Sequence, residues 1–232
     1  MYYNEAMDSI KEKVRTISFT EYNDEANSIS SWGTLPAIAV INVTGSIVSG
    51  RGGASNLSDS TGNYDYKDSI DTVFNDPSVK AVVIRIDSGG GSAAASDFMW
   101  NALYSAKKRN PKPVVFSFGN TAASGGYYIA CTGDTIFAGK GTITGSIGVV
   151  GGKVSVEELY VKLGISTETI KMSEFADIVS ESRSLTEKEK ILFQKNIDFI
   201  YDRFTGKVME GRNISEKEIA DMKYCHNDGN IK

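Results

Sequence analysis

The chain of 232 residues contains a single histidine, His226, set in a polar stretch near its end. A serine hydroxyl is ordinarily activated by a neighbouring imidazole, so a Ser-His-acid triad is not expected here. Cysteine is equally scarce, with Cys131 in an apolar stretch and Cys225 beside the histidine. Two thiols cannot form a disulfide framework, and with one histidine they cannot complete a zinc tetrad, so both are read as unpaired and no metal is expected. No run approaches the roughly 18 to 20 apolar residues of a membrane span, and Met1-Tyr2-Tyr3-Asn4-Glu5 lacks the basic-then-apolar order of a secretory signal. The chain as written is therefore expected to be soluble. A net charge of −4 and a pI near 5.2 provide no basic surface for nucleic acid, which is not expected as a partner. Nucleotide binding fails on inspection: Gly139-Lys140 is followed by Gly141, where a phosphate-binding loop needs Ser or Thr. No internal repeat and no low-complexity tract is visible.

What is present is an alternation of strands and helices. Residues 1–34 read as a short amphipathic helix (Ala6, Met7, Ile10, Val14) and a polar linker, 35–222 as the folded domain, and 223–232 as a divergent polar tail. Residues 37–43 and 80–86 are continuous apolar runs suited to strands buried on both faces, and 113–118, 135–138 and 143–150 suggest three more. Gly45 to Gly62, rich in Gly, Ser and Asn, reads as a long loop. Helices are expected over 66–75, from the N-cap Ser92 to Lys108, over 127–131 and over 156–163. A long helix opens at the capping box Thr186-x-x-Glu189 and carries Phe193, Ile197, Ile200, Phe204 and Val208 on one face; a second box, Ser215-x-x-Glu218, starts another. This pattern predicts an α/β fold with a mostly parallel sheet.

Strand, glycine turn, helix occurs twice, first at Asp87-Ser-Gly-Gly-Gly-Ser92 and again at Ala122-Ala-Ser-Gly-Gly-Tyr-Tyr128. In parallel α/β folds such turns lie beyond the carboxyl ends of strands, where helix N-termini point backbone amides outward. Ser124, framed by small residues, is the candidate nucleophile, and the two turns together could offer an oxyanion hole. Taken alone, Gly89–Gly91 could equally be a tight turn or a phosphate cradle. Without histidine the base must be an amine, and a lysine with a free pKa of about 10.4 must be brought down towards neutrality. Burial away from carboxylates achieves that. Lys171 lies between Ile170 and Met172, whereas Lys188, Lys190, Lys195 and Lys207 stand amid acids or on helix surfaces; a plain surface lysine remains the alternative. Ser146 could hold the amine, or be a turn residue. Asp87, Asp97 and Asp134 read as capping or loop residues.

Together, Arg85-Ile-Asp-Ser-Gly-Gly-Gly91, Lys112-Pro-Val-Val, the Ser124 turn, Thr142-Ile-Thr-Gly-Ser-Ile-Gly-Val149 and Lys171 through Thr186-Glu-Lys-Glu resemble the signal peptide peptidase A family of serine-lysine peptidases, from about Ala37 to Met222. The resemblance implies a Clp-protease-like, crotonase-type fold: a mostly parallel sheet with repeated ββα units and a C-terminal helical segment. It implies Ser124 as nucleophile, Lys171 as general base, Ser146 as the residue orienting that lysine, the amides of Gly91 and Gly125 as oxyanion hole, and Gly90 and Ser92 beside the substrate. It further implies hydrophobic peptide substrates such as cleaved signal peptides, a homo-oligomer, membrane association of the parent protein, and no cofactor. Three departures stand out. Gly89 replaces the proline of the family's Ser-Pro-Gly-Gly turn, which should loosen that turn. The residues after Met222 do not follow the family's continuation. Residues 1–34, with Phe19-Thr-Glu-Tyr22, resemble the connector before the second half of tandem members, in which the lysine can come from the first half. An assembly or peptide-binding half-module without its own base is therefore the alternative function.

Overall fold

The computed structural model describes residues 35–54 and 59–219. The expected helix over 5–14, the linker and the polar tail with Cys225 and His226 lie outside the described residues. Seven strands form one sheet: β1 (Ala37–Val48), β2 (Gly53–Ala54), β3 (Asp59–Gly62), β4 (Val79–Gly91), β5 (Val114–Ala123), β6 (Thr135–Phe137) and β7 (Ile143–Gly145). The helices are α1 (Asn63–Asn75), α2 (Ala93–Arg109), α3 (Gly125–Ala130), α4 (Glu157–Leu163) and α5 (Glu187–Arg212). The order along the sheet is β2-β3-β1-β4-β5-β6, with β7 also on β5. The β1–β3, β4–β5, β5–β6 and β5–β7 pairs are parallel and β2–β3 is antiparallel, so the mostly parallel α/β architecture predicted from the apolar runs is what forms.

Three local expectations are corrected. β1 is not buried on both faces: Ile41, Val43 and Ile47 enter the core while Ile38 and Val40 are exposed. The stretch 45–62 is not a plain loop. β1 continues to Val48, and β3 pairs with its end through Ser46–Ser60 to Val48–Gly62, helped by the Thr61 hydroxyl, which donates to the Thr44 carbonyl and accepts from the Thr44 amide at 2.9 Å each. Polar composition hid a strand whose pairing is tertiary. The strand expected over 143–150 stops at Gly145, because Gly145 and Ser146 take φ values of 81° and 49° and turn the chain away from the sheet.

The main core lies between the sheet and α1 and α2, where Ile70, Met99, Leu103, Val82, Ile84, Ile86 and Phe116 are fully buried. Each such side chain contributes roughly 1.5–3 kcal/mol. A second cluster joins Trp100 of α2, Tyr128 and Cys131 at α3, and Phe204 and Val208 of α5, with Ile219 beyond. Both capping boxes form: Thr186 with Glu189 at the head of α5, and Ser215 with Glu218 before helical residues 216–219. The Ser92 hydroxyl likewise caps α2 by accepting from the Ala95 amide at 3.3 Å. No helix among the described residues is long and apolar enough to cross a membrane.

Candidate active site

Ser124 sits at the apex between β5 and α3 with φ 50° and ψ −119°, a conformation that costs a non-glycine residue energy and persists only where the surroundings enforce it. The enforcement is visible. Its N–H donates to the Gly145 carbonyl at 2.9 Å, extending the β5–β7 ladder, and its carbonyl accepts from the Tyr128 amide at 2.8 Å, opening α3. Ser124 is part of the wall of a cleft of about 320 Å³.

Beyond β4 the backbone folds onto this apex. Gly90 has φ 97°, and a Cβ there would stand 2.5 Å from the Gly125 nitrogen and 2.9 Å from the Ser124 Cβ. Only glycine fits such an approach. A Cβ on Gly125 would in turn lie 2.4 Å from the Ser96 hydroxyl oxygen and 3.4 Å from the Gly91 nitrogen. The two glycine turns, some 35 residues apart in sequence, therefore meet at Ser124. Gly91, Ser92, Ser124 and Gly125 all line the cleft, opposite an apolar wall that includes Tyr128, Val150, Phe193, Ile197, Ile200 and Phe204. Gly90 and Gly91 also border a second, open depression with Thr44, Asp59 and Asp87.

The two residues expected beside Ser124 as its base and the base's guide are placed differently. Ser146 is exposed, at φ 49°, at the start of the segment whose residues 148–151 reach the cleft. Lys171 does not line the cleft. Its ammonium donates to Asp177 Oδ1 at 2.7 Å and to the Glu174 carbonyl at 3.1 Å. Its neighbours Ile170 and Met172 are fully solvent-exposed, so the dry, carboxylate-free surroundings inferred from them are not what this chain alone provides. Asp177 is shared: Arg183 Nε donates to its other oxygen at 2.7 Å, and the Arg183 guanidinium, with Lys171, holds the Asp177 carboxyl far below the usual range. Arg183 also grips the buried Glu189 carboxylate with two bonds of 2.6 and 2.7 Å.

Asp134 is a loop residue as expected, whereas Asp87 lies within β4 and Asp97 within α2, neither of them a cap or loop residue. Asp87 accepts from the Thr121 amide at 3.0 Å, and Asp134 from the Val114 amide and Lys107 Nζ at 2.7 Å each. Asp97 accepts from the Tyr128 hydroxyl at 2.7 Å and pairs with Arg203. Burial, and then Asp97, raise the Tyr128 phenol well above its ordinary value. A Cβ added at Gly89 would meet nothing within 4 Å, yet the turn it begins is not loose, because the Ser88 hydroxyl accepts from the Gly90 amide. The sequence reading missed Ser88, Ser96 and Tyr128, which are ordinary residue types within their elements. It also missed Lys153, whose Nζ is excluded from solvent with no hydrogen-bond partner among the described residues, two residues beyond Gly151 of the cleft. The Gly-Gly-Lys-Val run around Lys153, with no acid within three residues on either side, was the available signal.

The sequence model of Peptidase family S49 matches residues 106–223, about half of the chain. The chain is 33% identical over 216 residues to "Serine protease SPPA, chloroplastic" of Arabidopsis thaliana, covering 90% of this chain and 31% of that protein. It is 34% identical over 208 residues to "Protease 4" of Haemophilus influenzae, covering 89% and 33%. With "Putative signal peptide peptidase SppA" of Enterococcus faecium it shares 37% over 158 residues, covering 67% and 45%. A ClpP1 mutant from Listeria monocytogenes superposes with a TM-score of 0.42 at 13% identity, over 78% of this chain and 77% of that one. The chain spans about a third of the length of the first two relatives. It belongs to peptidase family S49.

Proposed function

We propose that Ser124 is the nucleophile of a serine peptidase acting on apolar peptide segments. The meeting of Gly91, Gly125 and Ser124 supports this reading: two glycine turns close on a strained serine in the wall of the cleft, where their amides could serve an oxyanion. A neutral amine takes the Ser124 Oγ proton as the Oγ–carbon bond forms, and the carbonyl oxygen, now anionic, is held by the Gly91 and Gly125 amides. Collapse breaks the carbon–nitrogen bond, with the ammonium returning its proton to the leaving amine, and water then releases the acyl group. The apolar wall of Tyr128, Phe193, Ile197, Ile200 and Phe204 suits hydrophobic substrates, cleaved signal peptides among them. Lys171 is the amine the motif designates, with Ser146 orienting it, and Gly90 and Ser92 border the bound peptide. Oligomeric assembly and membrane association of the parent protein complete this reading.

A second reading is favoured by one observation: Lys171 donates to Asp177 Oδ1 at 2.7 Å and does not line the cleft that Ser124 lines. On that reading the chain is a half-module whose base comes from another segment or copy. A fluorophosphonate probe separates the two. Labelling lost in Ser124→Ala and reduced at least about 100-fold in Lys171→Ala supports the dyad. Labelling unchanged in Lys171→Ala removes that lysine from the reaction, and an unlabelled wild-type chain that still binds peptide supports the half-module.

A further inference from the structure

Ser88 is fully enclosed between three elements, with 2% of its surface exposed. Its hydroxyl donates to the Gly45 carbonyl of β1 at 2.6 Å and accepts from the Gly90 amide at 3.1 Å. Its backbone sits opposite Ala122, two residues before Ser124, just past a register shift between Ile86 and Ser88 in the β4–β5 ladder. Its carbonyl oxygen would be 2.9 Å from a Cβ on Gly126. One residue therefore ties β1 to the Gly89–Gly91 turn through its side chain and pairs through its backbone with β5, the strand that leads to Ser124.

We infer that Ser88 is a positioning residue of the oxyanion hole, acting through the Gly90 amide; this rests on the peptidase reading above. Three consecutive glycines carry no side chain of their own to restrict φ and ψ, and glycine loses more backbone freedom on ordering than any other residue. Gly91 is fixed from one side, by close packing on Ile47 and by the Ser92 N–H donating to the Ile47 carbonyl at 2.8 Å. From the other side the Ser88 hydroxyl is the only side-chain group bonded to the turn among the described residues. Without it the Gly90 amide is buried with no acceptor, and the turn can rotate to satisfy it. That rotation re-aims the next amide, Gly91, and an oxyanion donor works only when already aimed.

The test uses the full-length protein and the isosteric pair Ser88→Thr and Ser88→Val, which share a shape and differ by the hydroxyl, with Ser88→Ala alongside. Ser88→Val and Ser88→Ala should lower kcat on a chromogenic peptide about 10-fold or more with KM within about twofold, and weaken inhibition by a peptide aldehyde to a similar extent. Ser88→Thr should retain most of the rate. Hydrogen exchange of the Gly90 to Ser92 amides should accelerate in the Val variant and not in the Thr variant. Equal losses in Thr and Val, a loss confined to KM, or unchanged exchange in Val would overturn the assignment. If the wild-type enzyme is not acylated by the fluorophosphonate probe, the peptidase reading fails, and the exchange comparison still decides whether Ser88 orders the turn.

Discussion

The Gly90 backbone lies so close to Gly125 that a single added carbon on Gly90 would stand 2.5 Å from the Gly125 nitrogen, well inside van der Waals contact. The first glycine turn is thus the lid on the amide that follows Ser124. Gly90 also has φ 97°, which an L side chain adopts at a cost of roughly 1–3 kcal/mol. Gly90→Ala must therefore push the two turns apart. The expected result is a fluorophosphonate labelling rate lower by at least about 100-fold, because both oxyanion donors shift together. Gly89→Ala, at a position where a side chain meets nothing, should label within about threefold of wild type. Equal rates for the two variants would show that the turns do not cooperate.

Acid should weaken the head of α5. Arg183, and then the Thr186 amide, bring the Glu189 carboxyl from its ordinary 4.5 down to about 2. A carboxylate depressed by folding stabilises the native state above its unfolded value and surrenders that stability as pH falls through its folded value. The loss therefore falls between about pH 4.5 and pH 2. Asp177, depressed by the same Arg183 and by Lys171, adds to the slope in the same direction. The melting temperature of the wild type should fall steeply across this window, and that of Glu189→Gln should start lower and fall less. An identical slope in the variant, measured by calorimetry, would remove Glu189 from the acid response.

The contrast between Ser124 and Lys171 shows which parts of such a site can be read from sequence. The Ser124 turn is local: strand residues, a small-residue apex and a helix start follow one another in the chain, and the same holds for Gly89–Gly91 and for the capping box of α5. Their meeting follows from adjacent parallel strands ending at the same edge. β3 was lost because its four residues, Asp59 to Gly62, are polar and are strand only by pairing with β1. The expected burial of Lys171 fails for a related reason. Apolar neighbours imply burial only inside a helix or strand with a packed face, and Lys171 lies in an irregular stretch where Ile170 and Met172 point into solvent. The partner that decides its chemistry, Asp177, is set by how that stretch folds back, not by spacing.

Tyr128 divides two cavities. The cleft beside Ser124, about 320 Å³, and a neighbouring cavity of about 250 Å³ share Ala93, Tyr128 and Ile200 in their walls. The Tyr128 ring packs on Phe204 with centroids 4.6 Å apart, and its hydroxyl is tied to Asp97, which holds Arg203 of α5. The ring is thus held in place at both ends and sets the depth available to an apolar substrate side chain. Tyr128→Ala should merge the two spaces and raise the kcat/KM ratio for a large aromatic over a small aliphatic residue before the cleaved bond by about 10-fold. It will also cost about 3–5 kcal/mol of stability, so the ratio, which cancels the fraction folded, is the quantity to measure. Tyr128→Phe keeps the ring and gives up the Asp97 bond; its ratio should match the wild type while its melting point drops by the equivalent of about 1 kcal/mol. A ratio unchanged in Tyr128→Ala would mean that the second cavity does not communicate with the first.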